Sequence, residues 1–324
     1  MNDFLDVVPD FRNIDVNAEL SHGEMSDMVG PNDLVDRLLE RRTAMSKGIK
    51  LPFEKLAQTD FLLHQGSLNL IGGYTGHFKS TISSQIGLRA LRTGHRVGIA
   101  SLELHAEAVL EQYCELAMTK SRPDEEYVRA FSQWATDKLF IYDRLDAISP
   151  HEAIQMTIAF AKHCACDLIV LDALMMMGVC GDPQTEQEFT QTLASVAKKF
   201  KVTVLLVHHV RKPSGMEGEE KIPGKYDFLG SSHLCNIAST IMLCWHDKTQ
   251  AEKRAQAELG VFDPEYRPHD PCMIFKVAKN REGRYEGGIK LWQAEECRGF
   301  VSNDNRKMTP FSYHQMTGAI KAVI

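Results

Sequence analysis

Residues 68–81 read LNLIGGYTGHFKST: an apolar run, a glycine-rich turn and a Lys-Ser-Thr triplet, followed at once by the amphipathic stretch ISSQIGLRALRTG. A buried strand that turns through glycines into a helix aims several backbone N–H groups at one point. That point is an anion site, the geometry of a Walker A phosphate loop. Of the pattern G-x-x-x-x-G-K-[ST], Gly73, Lys79 and Ser80 are present, and Phe78 stands in place of the second glycine. On this reading Gly73, Thr75, Gly76, His77, Phe78, Lys79, Ser80 and Thr81 surround a nucleotide's phosphates. Lys79 meets the β- and γ-phosphates, and the Ser80 hydroxyl ligates Mg²⁺. A loop of this quality also arises by coincidence, so its weight depends on the strands downstream of it.

The rest of the composition narrows the class. With 44% apolar and 25% charged residues in 324, the chain is that of an ordinary globular protein. A net charge of −6 excludes a generally basic nucleic-acid coat, though not a local basic groove. The eight cysteines include no C-x-x-C pair, so no zinc knuckle or redox motif is visible, and buried free thiols in a reducing cytoplasm are expected. MNDFLDVVPDF is no signal peptide, and no apolar window is long enough to span a bilayer.

Residues 1–30 lack periodicity and are expected to be an irregular arm unless a partner orders them. Residues 31–50 contain a helix with an apolar stripe of Leu34, Val35, Leu38, Leu39 and Met45, stopped by Gly48. That stripe serves either to fold the helix back on its own domain or to pack it on a neighbouring copy. From residue 51, strand-like runs begin at 67, 96, 138, 167, 202, 239, 273 and 288, and helical segments at 80–93, 105–119, 124–137, 150–164 and 186–200 separate the first five. The run 167–177 (DLIVLDALMMM) reads as one strand. Continuous apolar strands alternating with helices imply an α/β fold with a mostly parallel sheet covered on both faces. The last runs lack intervening helices and add antiparallel strands at one edge. The main domain is therefore expected at 51–300, with 301–324 as a tail. Residues 211–228, rich in Gly, Pro and charge, form a loop long enough to be functional.

Several polar residues fall at strand tips, where open α/β sheets bind ligands. Asp172 ends LIVLD and suits a Mg²⁺ water shell; an Asp there is as often a turn residue or cap. Glu103 ends GIASLE and suits a general base that polarises water, or else an acidic first-turn charge on the next helix. His208 and His209 end VTVLLVHH; a polar group at this tip can touch a γ-phosphate, whereas most such histidines are simply hydrogen-bonded. Arg211, Lys212, Lys221 and Lys225 make the following loop basic within an acidic chain, suiting phosphate-backbone contact or plain solvation. Lys279 and Arg281, in KVAKNREG, either cap a turn or reach a neighbour's γ-phosphate as an arginine finger does.

Five segments occur in one order: GGYTGHFKST, IASLELHAE, LIVLDALMM, LLVHHVRKP with DFLGSSHLCNIASTIML, and FKVAKNREGRYEGGIKLW. Together they resemble the helicase domain of the DnaB-like, superfamily 4 hexameric helicases, above all the helicase half of short-tailed phage primase–helicases and of Twinkle. The resemblance spans about residues 30–300. It implies a RecA-like core that assembles as a ring, hydrolyses ATP or another NTP or dNTP with Mg²⁺ between subunits, and translocates on single-stranded DNA. It assigns Lys79 and Ser80 to Walker A, Glu103 to the catalytic glutamate, Asp172 to Walker B and His209 to the phosphate sensor. Arg211 matches a DNA-facing loop, and Arg281 with Lys279 the cations that reach a neighbour's nucleotide. The helix at 32–47 falls where the family has its linker helix.

Three departures stand out. Phe78 replaces a glycine that lets backbone approach phosphate, although Gly76 remains. Leu229 stands where the family's DLRGSG-like segment carries arginine. No primase or zinc module is expected before the motor. The function expected is thus a replicative DNA helicase, acting on single-stranded and forked DNA as a homo-hexamer, with its nucleotide preference left open. It would work beside a separate primase, polymerase or loader, in the cytoplasm of a bacterium or infected host, with the mitochondrial matrix second. The alternatives are a RecA-like DNA-dependent ATPase without processive unwinding and a degenerate nucleotide-binding scaffold.

Overall fold

The computed structural model describes residues 11–21, 29–46, 48–212, 220–230, 232–261, 263–267 and 269–320. Residues 1–10 and 22–28 of the expected arm, 213–219 of the basic loop, 321–324 of the tail and the Met45 side chain lie outside them.

A nine-stranded sheet runs β3-β2-β4-β5-β1-β6-β7-β8-β9. Its first six strands in that order are parallel: β3 (Leu139–Tyr142), β2 (Val97–Ser101), β4 (Leu168–Asp172), β5 (Thr203–His209), β1 (Leu68–Gly73) and β6 (Thr240–His246). β7 (Met273–Asn280), β8 (Gly287–Gln293) and β9 (Phe300–Val301) extend it antiparallel, so the expected mixed sheet is present. Alternation of side chains across the pleat divides the apolar interior in two. Val170, Leu205 and Val207 join one core with α4 (Lys79–Arg92), α5 (Ala106–Met118) and α6 (Glu125–Ala135). Ile169, Leu171, Val204 and Leu206 join the other with α7 (Pro150–Lys162) and α8 (Pro183–Phe200).

Helix starts are set by short polar side chains. Asp124, Ser149 and Asp182 accept hydrogen bonds from the N–H groups of Tyr127, Glu152 and Thr185 at 2.8, 3.1 and 3.0 Å. Pro150 and Pro183 follow two of these caps at the first helical position, which is why α8 begins a turn before the expected residue 186.

Four expectations need correction. The run 167–177 is not one strand: β4 stops at Asp172, and Leu174–Met177 form a 3-10 turn that buries Leu174 and Met177 while Met175 stays 47% exposed. The late strands do have helices between them, α9 (Ser232–Ile237) and α10 (Lys248–Glu258). α10 buries no residue, so it covers no sheet face and makes no crossover; β7 returns beside β6 antiparallel. The arm is not irregular throughout. α1 (Val16–Leu20) buries Val16, and Gln155 of α7 donates to the carbonyls of Arg12 and Ile14 at 2.7 and 2.9 Å. Nor is the segment after 300 a loose tail, since Phe311 and Met316 are buried in the first core and Tyr127 Oη donates to the Phe311 carbonyl at 2.7 Å.

α4 and α5 meet where a glycine makes room for an aromatic ring. A Cβ at Gly87 would lie 2.0 Å from Tyr113 Oη, an oxygen that is buried without a hydrogen-bond partner among the described residues. Helix propensity favours alanine at position 87 by about 1 kcal/mol, but overpacking costs about 1–3 kcal/mol and wins. Gly87→Ala should therefore lower the melting temperature. The same substitution in a Tyr113→Phe background should be tolerated, because the clashing hydroxyl is gone. A thermal melt of the two variants distinguishes this from a simple loss of backbone flexibility, which would give both the same shift.

Candidate nucleotide site

The loop between β1 and α4 follows from close packing on either side. β1 is buried along its whole length and pairs with β5 and β6. At its end a Cβ on Gly73 would approach the Cys244 carbonyl oxygen to 2.6 Å, so no larger residue fits there. Gly76 takes φ +79°, a conformation that glycine adopts without strain. α4 then begins with no side-chain cap, which leaves its first N–H groups directed at the loop for an anion.

Phe78 itself adopts the left-handed conformation, φ 57° and ψ 26°. The position thus demands the backbone that a glycine supplies cheaply, and the ring offsets the cost by packing. It lies edge-on to His246 and Phe300, with centroids 4.9 and 5.1 Å away, and is half-buried against the first core. His77 is fully buried beside it, and its Nδ1 accepts the N–H of His246 at 2.9 Å. From α10, Lys248 Nζ donates to the Thr75 carbonyl at 3.1 Å. Sequence reading missed His246, Lys248 and Phe300 as supports. The one signal for α10 was Asp247 ahead of a run of good helix formers, because the helix is polar all round.

The structure brings Lys79, Ser80, Asp172, Glu103 and His209 together at the C-terminal ends of the parallel strands. Lys79 Nζ donates to the Tyr74 carbonyl at 3.0 Å and to His209 Nδ1 at 3.3 Å. Burial holds the Lys79 ammonium below its usual pKa, opposed by the neighbouring acids Asp172 and Glu103. Burial also raises Asp172 to about 6, while its hydrogen bond to Ser80 and the charge of Lys79 pull the other way. Burial, then the charge of Lys79, lowers His209 to about 4, so its ring is neutral near pH 7. Because Nδ1 accepts from Lys79, the proton sits on Nε2. Glu103 is exposed and lies two residues beyond the end of β2 rather than at its tip; between them, the Leu102 N–H is tied to the Asp172 carbonyl at 2.8 Å.

His208 belongs to a different environment. It points to the opposite side of β5, stacks on Phe228 and bonds the Leu229 carbonyl through Nε2 at 2.9 Å. Adjacent strand residues face opposite ways, so only one of the pair can reach the loop. Lys279 and Arg281 do not contact the loop of their own chain. Lys279 Nζ donates to the carbonyls of Cys235 and Asn236 at 2.7 and 3.0 Å, and Arg281 donates to Asn236 as well, together capping α9. Burial, then the Arg281 charge, lowers Lys279 to about 8.

The described part of the basic loop is anchored at its base. Arg211 N–H donates to the Asp227 carbonyl at 2.7 Å, and its guanidinium bonds the Gly230 carbonyl. Tyr74 Oη donates to the Lys221 carbonyl at 3.1 Å, which links this segment to the phosphate loop. Lys225 lies over the ring of Tyr226, itself 61% exposed. Ser80 and Asp172 offer Mg²⁺ two oxygen donors side by side and leave its other positions to water and phosphate. All eight cysteines are free, and no helix of the described residues is long and apolar enough to cross a membrane.

Replacing Phe78 by glycine removes two edge-to-face contacts, each worth about 0.5–1.5 kcal/mol, and relieves about 1–2 kcal/mol of left-handed strain. Phe78→Gly should therefore change the melting temperature by only a few degrees and leave nucleotide affinity equal or improved. Calorimetric titration checks this. A large loss of affinity would mean that the ring is needed to hold the loop's shape.

Comparison with known proteins agrees with this geometry. A solved structure described as an ATPase domain superposes with a TM-score of 0.66 at 15% identity, covering 86% of this chain and all of that one (100%). A DnaB-like replicative helicase, described with its interactions with primase, superposes at 0.63 and 15% identity, covering 86% of this chain and 68% of that one. No curated protein matches the chain. These likenesses establish a RecA-like fold of the kind seen in DnaB-like helicases. The family profile described as "AAA domain" matches residues 37–215, more than half of the sequence, and the chain therefore belongs to the AAA-domain family.

Proposed function

We propose that this chain is the motor subunit of a ring-shaped DNA helicase that hydrolyses ATP or another NTP, translocates on single-stranded DNA and opens forked duplex during replication. The observation that carries the reading is the convergence of Lys79, Ser80, Asp172, Glu103 and His209 on one uncapped helix start. Lys79 binds and orients the β- and γ-phosphates. Ser80 and Asp172 hold Mg²⁺, which when bound neutralises phosphate charge. Glu103, exposed beside them, takes a proton from the attacking water. His209, with its proton on Nε2, donates toward the γ-phosphate and passes its presence to the basic loop that starts at Arg211. Lys212, Lys221 and Lys225 extend the cationic path for the DNA backbone.

Two observations support a ring. Arg281 and Lys279 are held at α9, out of contact with their own loop, which suits a role in the neighbour's site. The linker helix α2 (Val35–Ser46) with the turn before it leaves Leu34, Val35, Leu38 and Leu39 between 37% and 52% exposed, which suits packing on a second copy. The packing of Phe78 away from the phosphate side speaks against a degenerate scaffold. A DNA-dependent ATPase without unwinding differs only in outcome, and a forked-duplex assay separates the two. A separate primase is the partner that the DnaB-like relative suggests.

Lys79→Ala should abolish hydrolysis with the fold intact, and Arg281→Ala should bind nucleotide but hydrolyse it poorly. If Arg281 completes the next subunit's site, mixing the two variants restores part of the activity, because some interfaces then pair an intact Lys79 with an intact Arg281. No recovery at any ratio, with mixed assembly confirmed, would confine Arg281 to its own subunit.

Leu38→Glu with Leu39→Glu should shift the protein from ring to monomer in light scattering and leave its melting temperature nearly unchanged. An intact ring in that variant would remove α2 from the interface.

A further inference from the structure

A second cavity, of about 450 Å³, lies at the far end of α4 from the phosphate loop. Its walls are the 51–57 segment, the last two turns of α4 and residues 300–309. Arg89 and Arg92 line it from one helix face, and Lys307 lines it from the chain's C-terminal part; Glu54 is the acidic residue among them. Three cations against one carboxylate leave an excess of positive charge.

No ion pair to Arg89 or Arg92 is present among the described residues. Arg89 has no side-chain hydrogen bond or ion pair among the described residues, and its Nε is enclosed without a partner. Arg92 makes one long bond, 3.4 Å to the Thr309 carbonyl, and lies 5.1 Å over the Phe311 ring. Burial, then the charge of Arg89, lowers its pKa. Like charges a turn apart on a helix repel, so this pair is unfavourable until an anion meets it. The negative end of the helix dipole accounts for a cation near the last turn. It does not account for a cavity to which a distant segment adds Lys307. Leu88, Leu116 and Met308 supply an apolar wall.

We propose that this cavity binds a small organic phosphate, with the dianionic head between Arg89, Arg92 and Lys307 and the body against the apolar wall. Guanidinium pairs take phosphate oxygens bidentately, and a dianion matches the excess charge better than a single carboxylate. The site is separate from the nucleotide's, because ten to thirteen residues of helix put Lys79 about 15–20 Å from the two arginines. Phe300 lines this cavity, and its ring also packs on Phe78.

Phenyl phosphate is a suitable probe, with phenol as the uncharged control, followed on the full chain by ligand-observed NMR. Saturable binding of phenyl phosphate but not phenol is expected, weakened at least about tenfold by Arg89→Gln with Arg92→Gln, the scale of losing a charge-assisted pair. Lys79→Ala should leave it unchanged. Equal binding in the double variant overturns the proposal, and loss in Lys79→Ala overturns it by moving the phosphate to the nucleotide loop. In the wild-type protein, phenylglyoxal modification of Arg89 and Arg92, mapped by mass spectrometry, should be slowed by phenyl phosphate. Absence of that protection, or protection by an acidic peptide alone, overturns it without reliance on any variant's folding.

Discussion

The molecule depends on the double pairing of β1. Leu68–Gly73 is hydrogen-bonded to β5 on one side and β6 on the other, and every residue of it is buried. With both edges and both faces occupied, the strand has one register and one exit. Gly73 leaves it against the Cys244 carbonyl with no room for a side chain, and the loop can turn only toward α4. The neighbouring strand ends are then placed by the same ladders. Gly73 pairs with His209, and Asp172 pairs with Ser101 and Val207, so the site residues are brought together by sheet register rather than by contacts of their own.

Register alone would leave a flexible loop. The structure holds it from outside through four contacts that come from the second half of the chain: Phe78 on Phe300 and on His246, His77 on the His246 amide, and Lys248 on the Thr75 carbonyl. These contacts convert an aromatic residue at a glycine position from a defect into a brace. Inside the site, burial moves charges toward neutrality, with Asp172 raised and Lys79 and His209 lowered. Such a site holds its charges at a desolvation cost that a bound nucleotide and its ion would offset, which fits a binding function better than a structural one.

Much of this was legible in the residues. The apolar runs 67–72, 96–103 and 202–210 alternated with helical stretches, and that period identifies a parallel sheet because each strand is buried on both faces. Lys79, Ser80, Asp172 and His209 were identifiable because they sit at fixed offsets from strand ends. What failed did so for local reasons. LMMM after Asp172 is as apolar as a strand, yet the chain turns there, and Met175 points outward. α10 has no apolar stripe to reveal it, and segments 11–20 and 311–316 are too short for any period to register although Val16, Phe311 and Met316 are buried.

The sequence by itself determined the order of strands and helices, the glycine-rich loop after β1 and the polar residues at the neighbouring strand ends, since these follow from short-range pattern and spacing. Only the tertiary structure decided what lies beside what. It separated His209 from His208 by the strand's alternation, seated Arg281 and Lys279 on α9, turned Phe78 onto Phe300, and gathered Arg89, Arg92 and Lys307 around one cavity. Most of these join residues far apart in the chain, and such pairings are set by the packing of whole elements, of which no local stretch of sequence carries a record.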